Sequence, residues 1–172
     1  MNEVMKNLKR VTIVRHAKSS WEYDGVSDLD RPLNNKGILD ANKMAGVLDQ
    51  EKYFPDKIFS SPANRALHTA VIFARVLEYP FYKITIDQTI YGAYEDEIIR
   101  MVKKLDNDWR SIMIFGHNPV VTNLANMFMK KSIDNLPTTG VASFLFDTEF
   151  WNEISPGNVK TELLDYPKKH KK

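Results

Sequence analysis

The sequence predicts one α/β domain, residues 1–172, in which helices cover a largely parallel central sheet. Three observations lead to this prediction. Short runs of β-branched and apolar residues alternate along the chain with longer stretches whose apolar residues recur at helical spacing. The chain has 172 residues, which is the size of one ordinary domain. Apart from a short basic tail, we find no repeat, linker or low-complexity segment.

Two strand–helix units are predicted in the first half of the chain. Residues 11–14 are β-branched throughout and form the first strand. A polar loop then leads to Asn34, the expected N-cap of the first helix. Residues 57–60 form the second strand, and Ser61 followed by Pro62 is typical of a helix start. The apolar faces of the two helices comprise Ile38, Ala41, Met44, Ala45 and Leu48 in the first and Ala66, Ala70, Phe73 and Leu77 in the second.

The second half continues the alternation and ends in two strands. We expect a strand at 83–87 and a helix at 95–105 that has three acidic residues in its first turn, where the helix dipole favours them. A buried strand follows and runs into Gly116 and His117. Asn118 and Pro119 repeat the pattern of a cap followed by proline and start a helix. The remaining predicted elements are the strand at 111–115, the helix at 120–129, and the strands at 141–146 and 159–165.

Composition excludes several classes of protein. The chain contains no cysteine, which rules out a disulfide framework, thiolate metal sites and every enzyme with a cysteine nucleophile. No apolar run approaches the roughly 20 residues of a membrane helix, so no membrane association is expected. The first ten residues carry charge throughout and lack the apolar core of a secretory signal. We therefore expect a cytoplasmic protein.

The net charge of +2 comes from a basic C-terminal tail at 168–172, which contains four lysines. Without those lysines the net charge would be −2. Such a tail can be a nucleic-acid-binding arm, but no interleaved aromatic residues or basic stripe accompany it. We therefore expect a solvated terminus and no nucleic-acid partner.

Polar side chains follow three of the predicted strands or open the helices after them. Arg15 and His16 end the first strand, Arg65 lies just inside the helix after the second, and His117 follows the strand at 111–115. The carboxyl ends of parallel strands meet at one edge of a sheet, where ligands bind. Two helix starts at the same edge would add unpaired N–H groups. Taken singly, Arg15–His16 could be a surface pair and His117 part of a helix cap, but together they favour a site for a doubly charged anion such as phosphate.

Three motifs carry a resemblance to a known family. They resemble, in the right order, the signatures of the histidine phosphatase superfamily, which are the phosphoglycerate-mutase-like enzymes, and the similarity runs from about residue 11 to 147. The SixA-type phosphohistidine phosphatases are particularly similar at residues 28–33 with Gly37 and at residues 137–142. The three motifs are Arg15-His16-Ala17-Lys18-Ser19-Ser20-Trp21, residues 60–70 around Arg65, and Gly116-His117-Asn118-Pro119.

The resemblance implies a three-layer phosphoglycerate-mutase-like fold and a role for each site residue. His16 would be the nucleophile and would form a phosphohistidine intermediate. Arg15 and Arg65 would bind the phosphoryl oxygens, for which planar guanidinium groups are well suited. His117 would donate to an oxygen that gains charge in the transition state. Ser19 would either add a phosphate contact or serve only as a turn residue.

Two features depart from the mutase branch of the superfamily. That branch commonly has an asparagine where this chain has Glu22, whose charge would repel a phosphate. It also carries a glutamate general acid in a longer insertion after the second motif. Here the candidates in the same interval are Glu95, Asp96 and Glu97, which are also the first turn of a predicted helix. Whether one of them is the acid is left open by the sequence.

The sequence thus favours a metal-independent phosphatase, most of all one acting on protein phosphohistidine. No metal-binding or nucleotide-binding motif is present, and the proposed scheme needs no cofactor. The expected partner is a phosphorylated protein or a small phosphorylated molecule. Two alternatives stay open: a phosphatase of a small phosphate ester, and a non-catalytic module that binds phosphorylated groups. Retention of both His16 and His117 argues against the module.

Overall fold

A mixed sheet of six strands forms the centre of the computed structural model, which describes residues 8–92 and 94–170. The order across the sheet is β3-β2-β4-β1-β5-β6. The strands are β1 Lys9–Arg15, β2 Lys57–Ser60, β3 Thr85–Ile86, β4 Ser111–Gly116, β5 Val141–Phe146 and β6 Val159–Asp165.

The sheet is mostly parallel, as predicted. β1, β2, β3 and β4 run parallel to one another, whereas β5 pairs antiparallel with β1 and β6 antiparallel with β5. The strand predicted at 83–87 is shortened to Thr85–Ile86, because Phe81–Lys83 turns as a 3₁₀ helix.

Helices cover both faces of the sheet, which gives the three layers. On one face α1 and α2 pack against Val14, Met113 and Phe115; on the other, α3, α4 and α5 pack against Ile13 and Ile114. This alternation follows from the strand geometry, in which successive side chains point to opposite faces. The helices are α1 Asn35–Gln50, α2 Asn64–Val76, α3 Thr89–Gly92, α4 Glu95–Val102 and α5 Val120–Asn126. Short α3 was not predicted, and α4 and α5 end earlier than predicted.

One of the three predicted helix caps is confirmed. The Asn34 side chain accepts a hydrogen bond from the Gly37 N–H at 2.8 Å and caps α1. Ser61 does not cap α2, because that helix begins at Asn64 with Ala63 at its N-cap. Asn118 does not cap α5, which begins at Val120 with Pro119 at its N-cap. Both side chains instead make other hydrogen bonds in the site described below.

The described part of the basic tail is anchored rather than loosely solvated. Pro167–His170 forms a 3₁₀ turn. The His170 ring lies 2.7 Å from Asp165, and Lys43 of α1 donates to the His170 carbonyl at 3.2 Å. Lys168 and Lys169 remain exposed, and the last two lysines of the predicted tail lie outside the described residues. None of the described helices has both the length and the apolar character needed to cross a membrane.

Candidate active site

The parallel pairing of β1, β4 and β2 brings the sequence motifs to one edge of the sheet. Arg15 pairs with Gly116, and Ser60 with Phe115, so these three strands end side by side. Beyond their ends lies a cleft of about 270 Å³. All five predicted site residues line this cleft, together with five residues that were not predicted. The full lining is Arg15, His16, Lys18, Ser19, Trp21, Arg31, Arg65, His117, Asn118 and Thr138.

One ring nitrogen of His16, Nε2, has an electron pair that is free to form a bond. Nδ1 lies 2.8 Å from the carbonyl oxygen of Ala17, and since a carbonyl can only accept, Nδ1 carries the proton. In the neutral ring Nε2 then holds the free electron pair. Burial, together with the charges of Arg65 and Arg15, lowers the pKa of His16 to about 4. His16 is therefore an uncharged base with an available Nε2 at neutral pH.

His117 faces His16 across the cleft. Their ring centroids are 5.0 Å apart, and the Tyr91 ring lies nearly perpendicular to the His117 ring with 5.6 Å between the two centroids. His117 Nε2 lies 2.7 Å from the hydroxyl of Ser61. Burial lowers the pKa of His117 to about 3, with the neighbouring His16 and Arg65 adding to the effect. Among the described residues, Nδ1 of this ring is buried without a hydrogen-bond partner.

Hydrogen bonds fix Arg15 and Arg65 at the cleft, but each guanidinium group still has N–H donors without a partner among the described residues. Arg15 donates to the Leu136 carbonyl at 2.8 Å and to the Asn135 side chain at 3.1 Å. Arg65 binds the carboxylate of Asp28 at 2.9 Å and also donates to the Asp28 carbonyl. Within the described part of the chain, Nε of each arginine has no partner. Burial lowers the pKa of Arg15 below its ordinary value.

A third arginine at the cleft was missed by the sequence reasoning. Arg31 is buried, donates to the Ser19 hydroxyl, and lies with its guanidinium 3.2 Å from the centre of the Trp21 ring. Ser19 is thereby fixed in the cleft wall, and its own O–H remains a donor for a ligand. The only signal for Arg31 in the sequence was its place within the stretch 28–33 that resembles SixA-type enzymes.

Asp28 joins two of the arginines through one carboxylate. Oδ1 binds Arg31 at 2.9 Å, whereas Oδ2 binds Arg65 at 2.9 Å and accepts from the Tyr91 hydroxyl at 3.0 Å. Burial acts to raise the pKa of Asp28, but the hydrogen bonds from Arg31, Tyr91 and Arg65 outweigh it and lower the pKa to about 2. Asp28 therefore stays ionised and orients both guanidinium groups.

The predicted contribution of the α2 N-terminus is wrong. The Asn64 N–H donates to the Leu29 carbonyl at 2.8 Å, and the Ala63 N–H to the Ser61 hydroxyl at 3.2 Å. Both donors are already paired, the first by the loop that follows His16 and the second by the residue two positions before it in the chain. α5 is only seven residues long, and it contributes Asn118 and His117 ahead of its first turn rather than a row of N–H groups.

Acidic residues stay at the margin of the cleft. Glu22 is exposed and is not among the residues that line it. Glu97 accepts from the Tyr94 N–H at 3.2 Å and caps α4, and Asp96 is exposed. Glu95 lines a neighbouring groove that shares His117 and Asn118 with the cleft. Within residues 8–92 and 94–170, no group of three or more potential ligands could hold a metal ion.

The fold and the cleft together define an α/β protein whose cleft places three guanidinium groups beside two neutral histidines, an arrangement suited to a phosphoryl-type anion. Comparison with known proteins agrees with this class. The family model of the histidine phosphatase superfamily (branch 1) matches residues 11–91. An uncharacterized chloroplastic protein of Arabidopsis thaliana is 31% identical over 92% of this chain and 78% of its own length. A 2,3-bisphosphoglycerate-dependent phosphoglycerate mutase of Buchnera aphidicola is 28% identical, but this chain spans only 49% of it.

Solved structures show the same fold. A protein of Agrobacterium tumefaciens, assigned as the phosphohistidine phosphatase SixA, aligns with a TM-score of 0.74 and 25% identity over 90% of this chain and 97% of its own. The protein histidine phosphatase SixA complexed with tungstate aligns with a TM-score of 0.78 and 22% identity over 94% of this chain and 99% of its own. The chain belongs to the histidine phosphatase superfamily, and the resemblance to its SixA-type members is confirmed. It is a phosphatase.

Proposed function

We propose that this phosphatase removes the phosphoryl group from phosphohistidine in a protein, with His16 as the nucleophile. The observation that carries this proposal is the hydrogen bond from His16 Nδ1 to the Ala17 carbonyl at 2.8 Å. It fixes the tautomer in which Nε2 is unprotonated, and the lowered pKa of about 4 keeps it so at neutral pH. A nucleophile needs this free electron pair.

The reaction proceeds by two displacements at phosphorus. In the first, His16 Nε2 forms a bond to phosphorus while the bond from phosphorus to the substrate nitrogen breaks. The substrate ring carries a proton on its other nitrogen, so it takes the electron pair and leaves as a neutral imidazole. In the second, water attacks the phosphorus on His16, loses a proton to solvent, and releases inorganic phosphate and neutral His16. Each step moves the phosphoryl group without oxidation or reduction.

The arginines and His117 stabilise the charge on the transferring group. Arg15, Arg65 and Arg31 surround the cleft with three guanidinium groups, which suit the oxygens of a phosphoryl group. The dianion also favours a proton on His117, which would then donate to one oxygen. Ser19 supplies a further donor. Removing a single charge-assisted hydrogen bond from this set should lower the rate by about 10–100-fold.

The scarcity of acids in the cleft supports a substrate with a good leaving group. An alkyl phosphate must expel an alkoxide, and the pKa of its conjugate acid lies near that of water, about 15.7. Such a group needs a proton donor worth about 10²–10⁴-fold. Phosphohistidine expels an imidazole whose protonated form has a pKa of about 6.5, so no strong acid is required. We expect kcat/KM for phosphohistidine to exceed that for an alkyl phosphate by at least about 10².

A phosphatase of a small phosphate ester is the second candidate. Glu95 favours it, because this carboxylate lines the groove that opens beside His117 and could protonate an ester oxygen. The partial match to phosphoglycerate mutases points in the same direction. In this case alkyl phosphates would be the best substrates.

Quenched labelling of the protein tests the proposed nucleophile. Wild-type protein, mixed with a ³²P-labelled phosphohistidine peptide and quenched within a turnover, should carry label that is stable to base and lost in acid. His16→Ala should carry none and should lose turnover, yet melt at nearly the wild-type temperature because His16 contributes little to the core. His68→Ala on the exposed side of α2 is the matched control. If His16→Ala turned over substrate as fast as the wild type, the proposed mechanism would be refuted.

A further inference from the structure

A second cavity lies next to the catalytic cleft and is rich in lysine. Its volume is about 390 Å³. Thr138 lines both this cavity, termed here the lysine pocket, and the cleft that holds His16. The lysine pocket is lined by Lys36, Asp40, Lys43, Pro137, Thr138, Tyr166, Pro167 and Lys168.

The charges around this pocket do not cancel. Lys36, Lys43 and Lys168 face one carboxylate, that of Asp40. Asp40 binds Lys36 at 2.9 Å and is itself largely covered, with 14% of its side chain exposed against 62% for Lys36. The nearby Asp165 is already paired with His170 at 2.7 Å. The pocket therefore presents a net positive charge to solvent.

The three lysines come from separate parts of the chain that the fold brings together. Lys36 lies in the first turn of α1, and that turn packs on the loop after His16: a side chain at Gly37 would come within 2.1 Å of the Lys18 carbonyl. Lys168 belongs to the anchored turn of the basic tail. The tail was the one sequence feature that the proposed function left unexplained, and its anchoring places Lys168 beside the pocket.

We propose that the lysine pocket binds acidic side chains of the protein that carries the phosphohistidine. This inference rests on the proposed function, and it adds a determinant of substrate choice. The catalytic cleft uses arginines, whose planar forks fit a phosphoryl group of fixed geometry. The pocket instead uses lysines, which are point charges on flexible stems and can pair with carboxylates at varied positions. Exposed pairs of this kind assist encounter and binding more than chemistry.

Two phosphohistidine peptides of equal length test the proposal. One carries aspartate and glutamate near the phosphohistidine, and the other has asparagine and glutamine at the same positions. We expect wild type to prefer the acidic peptide by about tenfold in kcat/KM at low salt, through KM. The preference should shrink as salt is raised, because exposed charges are screened.

The variant Lys36→Gln/Lys43→Gln/Lys168→Gln should lose this preference, with kcat unchanged. Its turnover of the neutral peptide and of p-nitrophenyl phosphate should match wild type. The control variant Lys103→Gln/Lys104→Gln/Lys131→Gln changes net charge equally at exposed lysines outside the cleft and the pocket, and should keep the preference.

Three results would overturn the proposal. The pocket variant could keep the preference for the acidic peptide, or the control variant could lose it equally, which would indicate a general charge effect. In a further assay with a small bisphosphate as substrate, the pocket variant could lose turnover of the bisphosphate alone. That result would assign the pocket to a small metabolite. Failure of the proposed function itself is distinguishable, because wild type would then hydrolyse p-nitrophenyl phosphate but neither peptide.

Discussion

The rings of His16 and His117 face each other at 5.0 Å between centroids, and each is hydrogen-bonded to an uncharged group: a backbone carbonyl and a serine hydroxyl. With three arginines around them and, among the described residues, no carboxylate bonded to either ring, both histidines are neutral in the free protein at neutral pH. Neutrality suits His16 as a nucleophile, and the low pKa values of both rings make the fold sensitive to acid.

The first prediction concerns this acid sensitivity. The pKa of His117 is about 3 in the folded protein against 6.5 ordinarily, so between these values the unfolded chain binds more protons. The free energy of unfolding should therefore fall as pH decreases from 6.5 towards 3. The variant His117→Gln lacks this titrating group. Between pH 6.5 and 4, its free energy of unfolding should therefore fall by up to about 3 kcal/mol less than that of the wild type. Urea denaturation at several pH values measures the difference. Parallel curves for the two proteins would contradict it.

The second prediction concerns Asp28, which we treat as a positioning residue for two arginines. Asp28→Asn should lower kcat/KM for a phosphohistidine peptide by about tenfold, since a half-exposed charge-assisted contact is worth about 1–1.5 kcal/mol. The Tyr91 hydroxyl and both guanidinium groups lose their shared anion.

Asp24→Asn, at an exposed position in the same loop, is the matched control and should behave as wild type. Stronger phosphate binding by Asp28→Asn would mean that the carboxylate competes with the substrate and does not orient the arginines. Inhibition by inorganic phosphate separates these two roles.

The third prediction is that chelators leave activity unchanged. All neutralisation of phosphoryl charge is assigned to Arg15, Arg65, Arg31 and His117, and the cleft lining formed by residues 8–92 and 94–170 contains no carboxylate to hold magnesium or zinc. Turnover of p-nitrophenyl phosphate should be the same before and after dialysis against millimolar EDTA. Loss of activity in EDTA and its return with a divalent ion would refute the assignment.

The fourth prediction uses the carboxylates of α4 to choose between substrates. The variant Glu95→Gln/Asp96→Asn/Glu97→Gln should keep nearly all phosphohistidine turnover, because the imidazole leaving group needs no strong acid. It should melt slightly lower, since Glu97 caps the helix and first-turn acids favour the helix dipole.

The single variant Glu95→Gln isolates the one carboxylate beside His117 and leaves the cap intact. A loss of about 10²-fold or more in both variants would identify Glu95 as the general acid. The small-ester phosphatase would then become the better proposal.

The sequence by itself determined most of the helices and strands and five of the residues that line the cleft. Strands β2, β5 and β6 occur at the predicted residues, because short apolar or alternating stretches bounded by turn residues are local signals. His16, Arg65 and His117 were found because motifs at the ends of parallel strands must converge once the sheet is parallel.

Only the tertiary structure decided the hydrogen-bond partners and the pKa values of those residues. Ser61 and Asn118 have the residue types of helix caps, yet both make hydrogen bonds in the site, because long-range packing offers partners that local propensity does not foresee. Arg31 and Asp28 belong to a loop whose path depends on contacts with α2 and Tyr91. Burial sets the pKa of each histidine, and burial is a property of the packed chain. The lysine pocket also depends on the packed chain. Its three lysines, at positions 36, 43 and 168, are up to 132 positions apart, so their proximity could not be predicted from the sequence.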